Sequence, residues 1–302
     1  MSAAVRLGVG VGWEIGAEGL EWTELFPRIA RHARYVETAP LYDPKALDGV
    51  RSESGSDFRF VLHYSGLSLP GPTTRIEQHF PIVEGLCRML GSPWFVEDLG
   101  YWAVEGTELG GFSPVILSED ALATCVANVK ALQAGVSFPY LAENPPYATV
   151  LGDIHILDFM SRLSEATGAP YLLDAGHLYS YLSVRREDPD RALDRVRDWD
   201  RVIEIHVAGG EMVRGPRGRW IYDDNHSKPV LPEVLDLLAA LLARAGNVRA
   251  LTVEVDFNQE GRGVKDPLAI AVENFYRVHA VAERWAPGLV ARTPQATAAA
   301  AN

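Results

Sequence analysis

Cysteine is scarce. Cys87 and Cys125 are the only two in 302 residues, they stand far apart, and no Cys-x-x-Cys spacing occurs. This argues against a disulfide framework and against a thiolate metal site, and it leaves both side chains expected as buried thiols in helical segments. Positive charge is in deficit too, with 28 Lys and Arg against 40 Asp and Glu and a formal net charge of -12. Such a chain offers no electrostatic footprint for nucleic acid or an anionic membrane, although an acidic surface can still hold a locally cationic metal cleft. No apolar run approaches the roughly 20 residues of a membrane span, and the start has no basic segment followed by an apolar stretch as in a signal peptide. A cytoplasmic location is the expectation. The Gly-x-Gly-x-x-Gly spacing of a dinucleotide site is also missing: Gly8-Val9-Gly10-Val11-Gly12 resembles it only superficially, and its glycines read as packing devices in a first strand.

What is present is alternation. Apolar, β-branched runs occur at Val5 to Gly12, Arg34 to Thr38, Phe58 to His63, Trp94 to Leu99, Tyr140 to Glu143, Tyr171 to Asp174, Val202 to Val207 and Leu251 to Glu254. Helix-like segments lie between them, at Glu84 to Leu90, Glu119 to Leu132, Ile154 to Ala166, Arg191 to Asp198 and Val234 to Ala245. The fold class predicted is α/β, a (β/α)₈ TIM barrel rather than an open doubly wound sheet, because barrels of this length commonly form one domain. The domain is expected over 1–290, with a flexible Ala-rich tail over 291–302. The longest loop, from Ala208 to Pro229, follows the seventh strand and is expected to cover the site.

Polar residues close these runs. His63 ends the third, Glu97 or Asp98 the fourth, and Glu143 the fifth; Asp174 and His177 follow the sixth, His206 the seventh and Glu254 the eighth. Asp224 and His226 stand two apart in the long loop, a spacing that directs both toward one face of extended backbone. Strand C-terminal ends ring the mouth of a barrel, so these donors converge there. Taken singly, each has an ordinary reading: a hydrogen-bonded structural histidine, a helix cap at Asp174, an arginine partner for Glu254. Together they need a shared compensating charge, and their number exceeds what one ion would use. Imidazole and carboxylate donors without thiolate suit iron, manganese or zinc. His32, His79, His155 and His279 fall in helical stretches and are expected at the surface or behind the ligands, while Trp94, Trp102, Tyr147 and Tyr179 are expected to pack.

With these segments in hand, the chain resembles the multinuclear non-heme iron-dependent oxidative enzymes, a family that includes the methanobactin-biosynthesis oxidase. The resemblance runs from Gly8-Val9-Gly10 to Glu254-Val255-Asp256 and is carried by His63-Tyr64-Ser65-Gly66-Leu67-Ser68, Glu97-Asp98-Leu99, Leu141-Ala142-Glu143-Asn144-Pro145, Leu172-Leu173-Asp174-Ala175-Gly176-His177, Glu204-Ile205-His206-Val207-Ala208-Gly209 and Asp224-Asn225-His226. It implies a TIM barrel with two or three irons (Fe2+/Fe3+) that activates dioxygen and oxidises a residue, often Cys, of a ribosomally synthesised peptide. A separate precursor-recognition protein is an implied partner. Transferred position by position, the resemblance makes His63, Glu143, Asp174, His206, Asp224, His226 and Glu254 iron ligands. Two positions depart from the family pattern, Asp98 where His is common and His177 where Asn is common, and both are kept as candidate ligands. No catalytic residue beyond the metal ligands is assigned, and no flavin or haem is expected. Asp174-Ala175-Gly176-His177 also resembles the xylose isomerase-like and endonuclease IV-like barrels, so a sugar isomerase or hydrolase is the alternative, and a catalytically dead metal scaffold a third reading.

Overall fold

The computed structural model describes residues 5–15, 20–39, 44–215, 218–255 and 266–291. The strands are β1 (Gly8–Gly12), β2 (Tyr35–Thr38), β3 (Arg59–His63), β4 (Phe95–Asp98), β5 (Gly100–Val104), β6 (Thr107–Pro114), β7 (Tyr140–Glu143), β8 (Tyr171–Asp174), β9 (Val202–Ala208), β10 (Glu211–Arg214), β11 (Trp220–Asp223) and β12 (Ala250–Glu254). Eight of them, β1, β2, β3, β4, β7, β8, β9 and β12, close into a parallel barrel in chain order. The expected (β/α)₈ architecture is therefore the one observed, because each short apolar run is followed by a helix that packs back on the sheet.

Period-two alternation, interrupted in β9 by a register shift against β8 after Val202, sorts the side chains into two layers. Leu7, Tyr35, Val61, Trp94, Val96, Leu141, Leu172, Ile203 and Ala250 form one buried cluster that fills the axis, while Val36, Phe60, Leu62, Tyr140, Leu173, Ile205, Leu251 and Val253 belong to the larger core beneath the helices. Leu141 is fully buried, and Leu141→Ala would cost about 2–5 kcal/mol through lost transfer energy and a residual cavity. The glycines of β1 make room for this filling. A Cβ on Gly10 would lie 2.6 Å from the ring of Tyr35, which agrees with their reading as packing devices.

Helices Phe80–Leu90, Glu119–Gly135, Ile156–Thr167 and Pro232–Arg244 lie where the sequence places them. Arg191 to Asp198 departs from expectation. Asp188 caps a single short helix, Pro189–Leu193, and Asp198 instead caps the 3-10 turn Trp199–Arg201. Helices Trp22–Ile29, Pro44–Ser54, Ala175–Arg185 and Pro267–Trp285 complete the alternation, and the antiparallel hairpins β5–β6 and β10–β11 have no counterpart in the periodicity, the second of them giving structure to the Ala208 to Pro229 loop. Cys87 and Cys125 are buried in helices. His155 and His279 are buried as well, not at the surface. The Ala-rich tail from Thr293 lies outside the described residues, and among those residues no helix is long and apolar enough to cross a membrane.

Candidate metal centre

The alternation that fills the axis also delivers the donors. Val61 faces inward, so His63 does; Leu141 brings in Glu143, Leu172 brings in Asp174, and Ala250 is followed inward by Thr252 and then Glu254. On β4, Val96 puts Asp98 inside and turns Glu97 outward. Glu97 is buried and accepts from the backbone of Gly66 and Leu67, fixing the loop after β3, and burial lifts its carboxyl to about 8. Asp98, not Glu97, is the carboxyl group that this strand turns into the mouth. Hairpin β10–β11 returns over the mouth and adds Asp224 and His226. A Cβ on Gly176 would fall 2.4 Å from Asp224 Oδ2, so glycine there is what lets Asp224 approach. His226 takes φ +58, a left-handed backbone at a functional loop, held by Asn225 Oδ1 accepting from the Ser227 amide at 3.1 Å and hydroxyl at 2.7 Å.

All the sequence-predicted donors meet. Their ligand atoms fall into groups whose members lie within 4.8 Å of one another: His63, Glu143, His206 and Glu254; His177, His226 and Glu254; Asp98, Glu143 and His177; and Asp174, His177 and Asp224. Glu143 and Glu254 each belong to two groups, as bridging carboxylates would. A further group escaped the sequence reading: Glu37 and Glu204 with His206. The signal for it was available, since each is a glutamate inside an apolar strand at the same parity as an inward neighbour, Tyr35 for Glu37 and His206 for Glu204. Trp94 donates its indole N–H to Glu204 Oε2 at 2.6 Å, so it is more than packing.

The electrostatics are those of a site prepared for cations. Among the described residues, the mouth carboxylates pair with histidine and with no Lys or Arg: His63 Nε2 to Glu143 Oε2 at 3.2 Å, His206 Nδ1 to Glu254 Oε1 at 3.2 Å, His226 Nε2 to Glu254 Oε2 at 3.5 Å and His177 Nε2 to Asp224 Oδ2 at 3.5 Å. Burial disfavours the charged form of every group here. It lifts Asp98 to about 7, Asp174 to about 6 and Asp224 to about 7, with Glu143 adding to the first and neighbouring carboxylates to the other two. Glu143 resists burial because His206, His177 and His63 surround it, and it stays well below the usual range. His226 and His206 likewise hold Glu254 at about 2. Burial opposes charge on His63, yet the hydrogen bond and charge of Glu143 outweigh it and raise the imidazole to about 10.

Several buried donor atoms here have no hydrogen-bond partner: Asp98 Oδ1, Glu143 Oε1, Asp174 Oδ2, His206 Nδ1, both Asp224 oxygens and Glu254 Oε2. Buried polar atoms are normally satisfied, and these orphans converge on one space, so the residues present fit divalent ions. Asn144 sets the geometry around them. Its side chain brackets the backbone of Asp174 at 2.9 and 3.1 Å, and its carbonyl lies 3.0 Å from His177 Nδ1. With Nδ1–H on that carbonyl, His177 offers Nε2 toward Asp224; pairing with Asp98 and Glu143 instead uses Nδ1 and gives up the Asn144 contact. A cavity of about 170 Å³ lined by Trp13, Glu37, His63, Asp98, His177, His226 and Glu254 opens above the donors. A larger one of about 450 Å³ lies beside it between the hairpins, lined by Phe112, Val115, Tyr147, Ile221 and Tyr222 and ending at Asp224.

The family described as RiPP precursor modification enzyme MbnB/TglH/ChrH matches residues 41–262. A UPF0276 protein of Streptomyces avermitilis is 29% identical over 256 residues, covering 79% of this chain and 49% of its own length. One of Caulobacter vibrioides is 32% identical over 171 residues, covering 56% of this chain and 59% of its own. The chain thus spans about half the length of the curated relatives it matches. Among solved structures, a D-psicose 3-epimerase in the presence of D-fructose gives a TM-score of 0.57 at 12% identity over 92% of this chain and 99% of that one. Endonuclease IV from Thermus thermophilus gives 0.56 at 16% identity over 92% and 99%. At such identity these two likenesses carry the fold alone.

Proposed function

The chain belongs to the RiPP precursor modification enzymes MbnB/TglH/ChrH, and on that premise we propose that it is a cytoplasmic non-heme iron enzyme holding two or three irons at the barrel mouth and oxidising a residue, often Cys, of a ribosomally synthesised peptide with dioxygen. One observation carries the reading: five carboxyl groups (Asp98, Glu143, Asp174, Asp224, Glu254) and four histidines (His63, His177, His206, His226) converge with orphaned buried donor atoms and, among the described residues, no Lys or Arg ion pair to neutralise them. More than one ion would use this set, with Glu143, Glu254 and His177 among the residues that would hold them, whereas a single ion would leave most of it uncompensated. Bound iron would supply the activation of dioxygen. The chain's own part is to fix donor geometry on strand ends, to cover the mouth with hairpin β10–β11, and to admit the peptide through the space beside Asp224. One domain over 1–290 would hold all of this, with a separate recognition protein presenting the precursor.

The test is metal analysis of protein purified anaerobically from iron-replete cells, followed by ferrous titration and measurement of oxygen uptake with candidate precursor peptides. More than one iron per chain, no flavin or haem, and peptide-dependent oxygen uptake are expected. A single zinc per chain with full activity would overturn the multi-iron reading. Bound iron without oxygen uptake toward any peptide, together with turnover of an aldose or a phosphodiester, would favour the isomerase or hydrolase class.

A further inference from the structure

Behind His206 lies a buried polar cluster outside the predicted ligand set, of which Glu37 also reaches the lining of the mouth cavity, its Oε1 without a hydrogen-bond partner. Glu37 and Glu204 are 2% and 0% exposed, and both stand next to His206 on the floor of the site. Glu37 Oε2 lies 3.0 Å from His206 Nε2 and accepts from the Thr252 hydroxyl at 2.9 Å. The Tyr35 hydroxyl lies 2.7 Å from Thr252 Oγ1. Thr252 has one proton to give, and its contact with Glu204 Oε1 is longer, 3.2 Å. Tyr35 therefore donates to Thr252, Thr252 to Glu37, and Glu204 takes the indole N–H of Trp94 instead. Below this chain the barrel axis is apolar.

We propose that Glu37, held by the Tyr35–Thr252 hydroxyl chain, is a positioning residue that fixes the ring and tautomer of His206 so that its Nδ1 lone pair is presented to a metal ion. This rests on the metal reading above and goes beyond it by assigning a function to residues outside the ligand set. The geometry leaves His206 little choice. Its ring nitrogens face opposite layers: Nε2 points at Glu37, while Nδ1 lies 3.2 Å from Glu254 Oε1 and 3.5 Å from Glu143 Oε1, without a hydrogen-bond partner. A neutral imidazole has one donor and one acceptor nitrogen, so a carboxylate on Nε2–H dedicates Nδ1 to coordination. The anion behind the ring also strengthens the donor nitrogen in front. His177 is backed only by the Asn144 carbonyl, at 3.0 Å, a neutral acceptor. His206 thus has a buried carboxylate behind its ring where His177 has a neutral carbonyl, and on this proposal Glu37 acts on a metal through that ring.

The experiment uses the full chain. Ferrous affinity and stoichiometry are measured anaerobically for wild type, Glu37→Ala, Glu37→Gln and Thr252→Val, and the imidazole nitrogens of the zinc-loaded proteins are followed by 15N NMR. Wild type should show a slowly exchanging Nε2 proton and a metal-shifted Nδ1 on His206. Glu37→Ala should weaken affinity about 10–100-fold, keep the full stoichiometry at saturation and lose protection of that proton. Glu37→Gln, whose amide oxygen accepts the same N–H, should recover most of the affinity, and Thr252→Val should fall between. If Glu37→Ala does not fold, the Gln and Val variants carry the same comparison. Loss of one whole metal equivalent at saturating iron would make Glu37 a ligand and overturn the proposal, as would unchanged affinity with a protected Nε2 proton in the variants. Wild-type protein that binds neither iron nor zinc would instead defeat the metal reading itself.

Discussion

Two histidines in this molecule sit at the same distance from a glutamate and respond in opposite ways. His155 Nε2 lies 3.2 Å from Glu187 Oε2, and His63 Nε2 lies 3.2 Å from Glu143 Oε2. His155 is pushed down to about 4, by burial first and with Arg195 and Arg185 opposing the attraction of Glu187, whereas His63 rises to about 10. The distance is the same, but His63 hydrogen-bonds Glu143 whereas His155 Nε2 makes no hydrogen bond, and the surroundings differ. Glu187 is shared with the guanidinium groups of Arg185 at 3.3 Å and Arg195 at 3.4 Å, so its charge is already spent. Among the described residues, the ion-pair partners of Glu143 are all imidazoles. A carboxylate–histidine distance therefore says little by itself; the hydrogen bond and the permanent cation, or its lack, separate an ion-pair network that holds helices together from a cluster that could hold metal.

The comparison breaks most decisively at Glu143. Glu143→Ala should abolish binding of more than one iron per chain, and in chelator-treated protein it should lower unfolding stability by about 3–5 kcal/mol, the cost of leaving buried imidazolium without its partner. Metal analysis and urea unfolding measure both, and unchanged metal content would show that the mouth is structural. His206→Ala and Glu254→Ala come next. Each should reduce metal content along with turnover, by about 10–100-fold or more in affinity. The departures from the family pattern should act more narrowly: Asp98→Ala should selectively weaken the ion held with Glu143 and His177, and His177→Asn should keep partial activity, both read by iron stoichiometry and oxygen uptake.

The other half of the comparison is tested with acid. His155 is depressed from 6.5 to about 4, so between those values the unfolded chain takes up a proton that the folded chain refuses. Stability contributed by the neutral ring is present above pH 6.5 and is lost as pH falls toward 4, and His155→Gln should flatten that stretch of the urea-midpoint profile. The smallest effect sharpens the argument furthest. Arg195→Gln removes an exposed ion pair with Asp158 at 3.0 Å and should cost less than about 1 kcal/mol. Yet it should move the His155 titration upward in an NMR experiment, toward the behaviour of His63. An unmoved titration would mean that burial alone, not the guanidinium, sets the contrast.

The sequence by itself determined the barrel and the strand ends at which its candidate donors stand. Runs such as Tyr140-Leu141-Ala142-Glu143 and Tyr171-Leu172-Leu173-Asp174 carry their fold in local period and composition, and a polar residue closing such a run belongs at the mouth because strand direction is fixed by the βα connection. What only the tertiary structure decided depends on register and on neighbours remote in sequence. Glu97 and Asp98 are equivalent as letters; pleat parity relative to Val96 sends one to a loop and the other to the centre. Glu37 and Glu204 sit inside strands, and their meeting through His206 and Thr252 joins residues 169 and 215 positions apart. The hairpins carry no long-period signal, so although the Ala208 to Pro229 loop is expected over the site, its form as the β10–β11 hairpin had to be seen. His155 and His63 separate for the same reason: a side chain's charge state is set by whatever the fold packs around it, and arginines 30 and 40 residues downstream of His155 are invisible to any local reading.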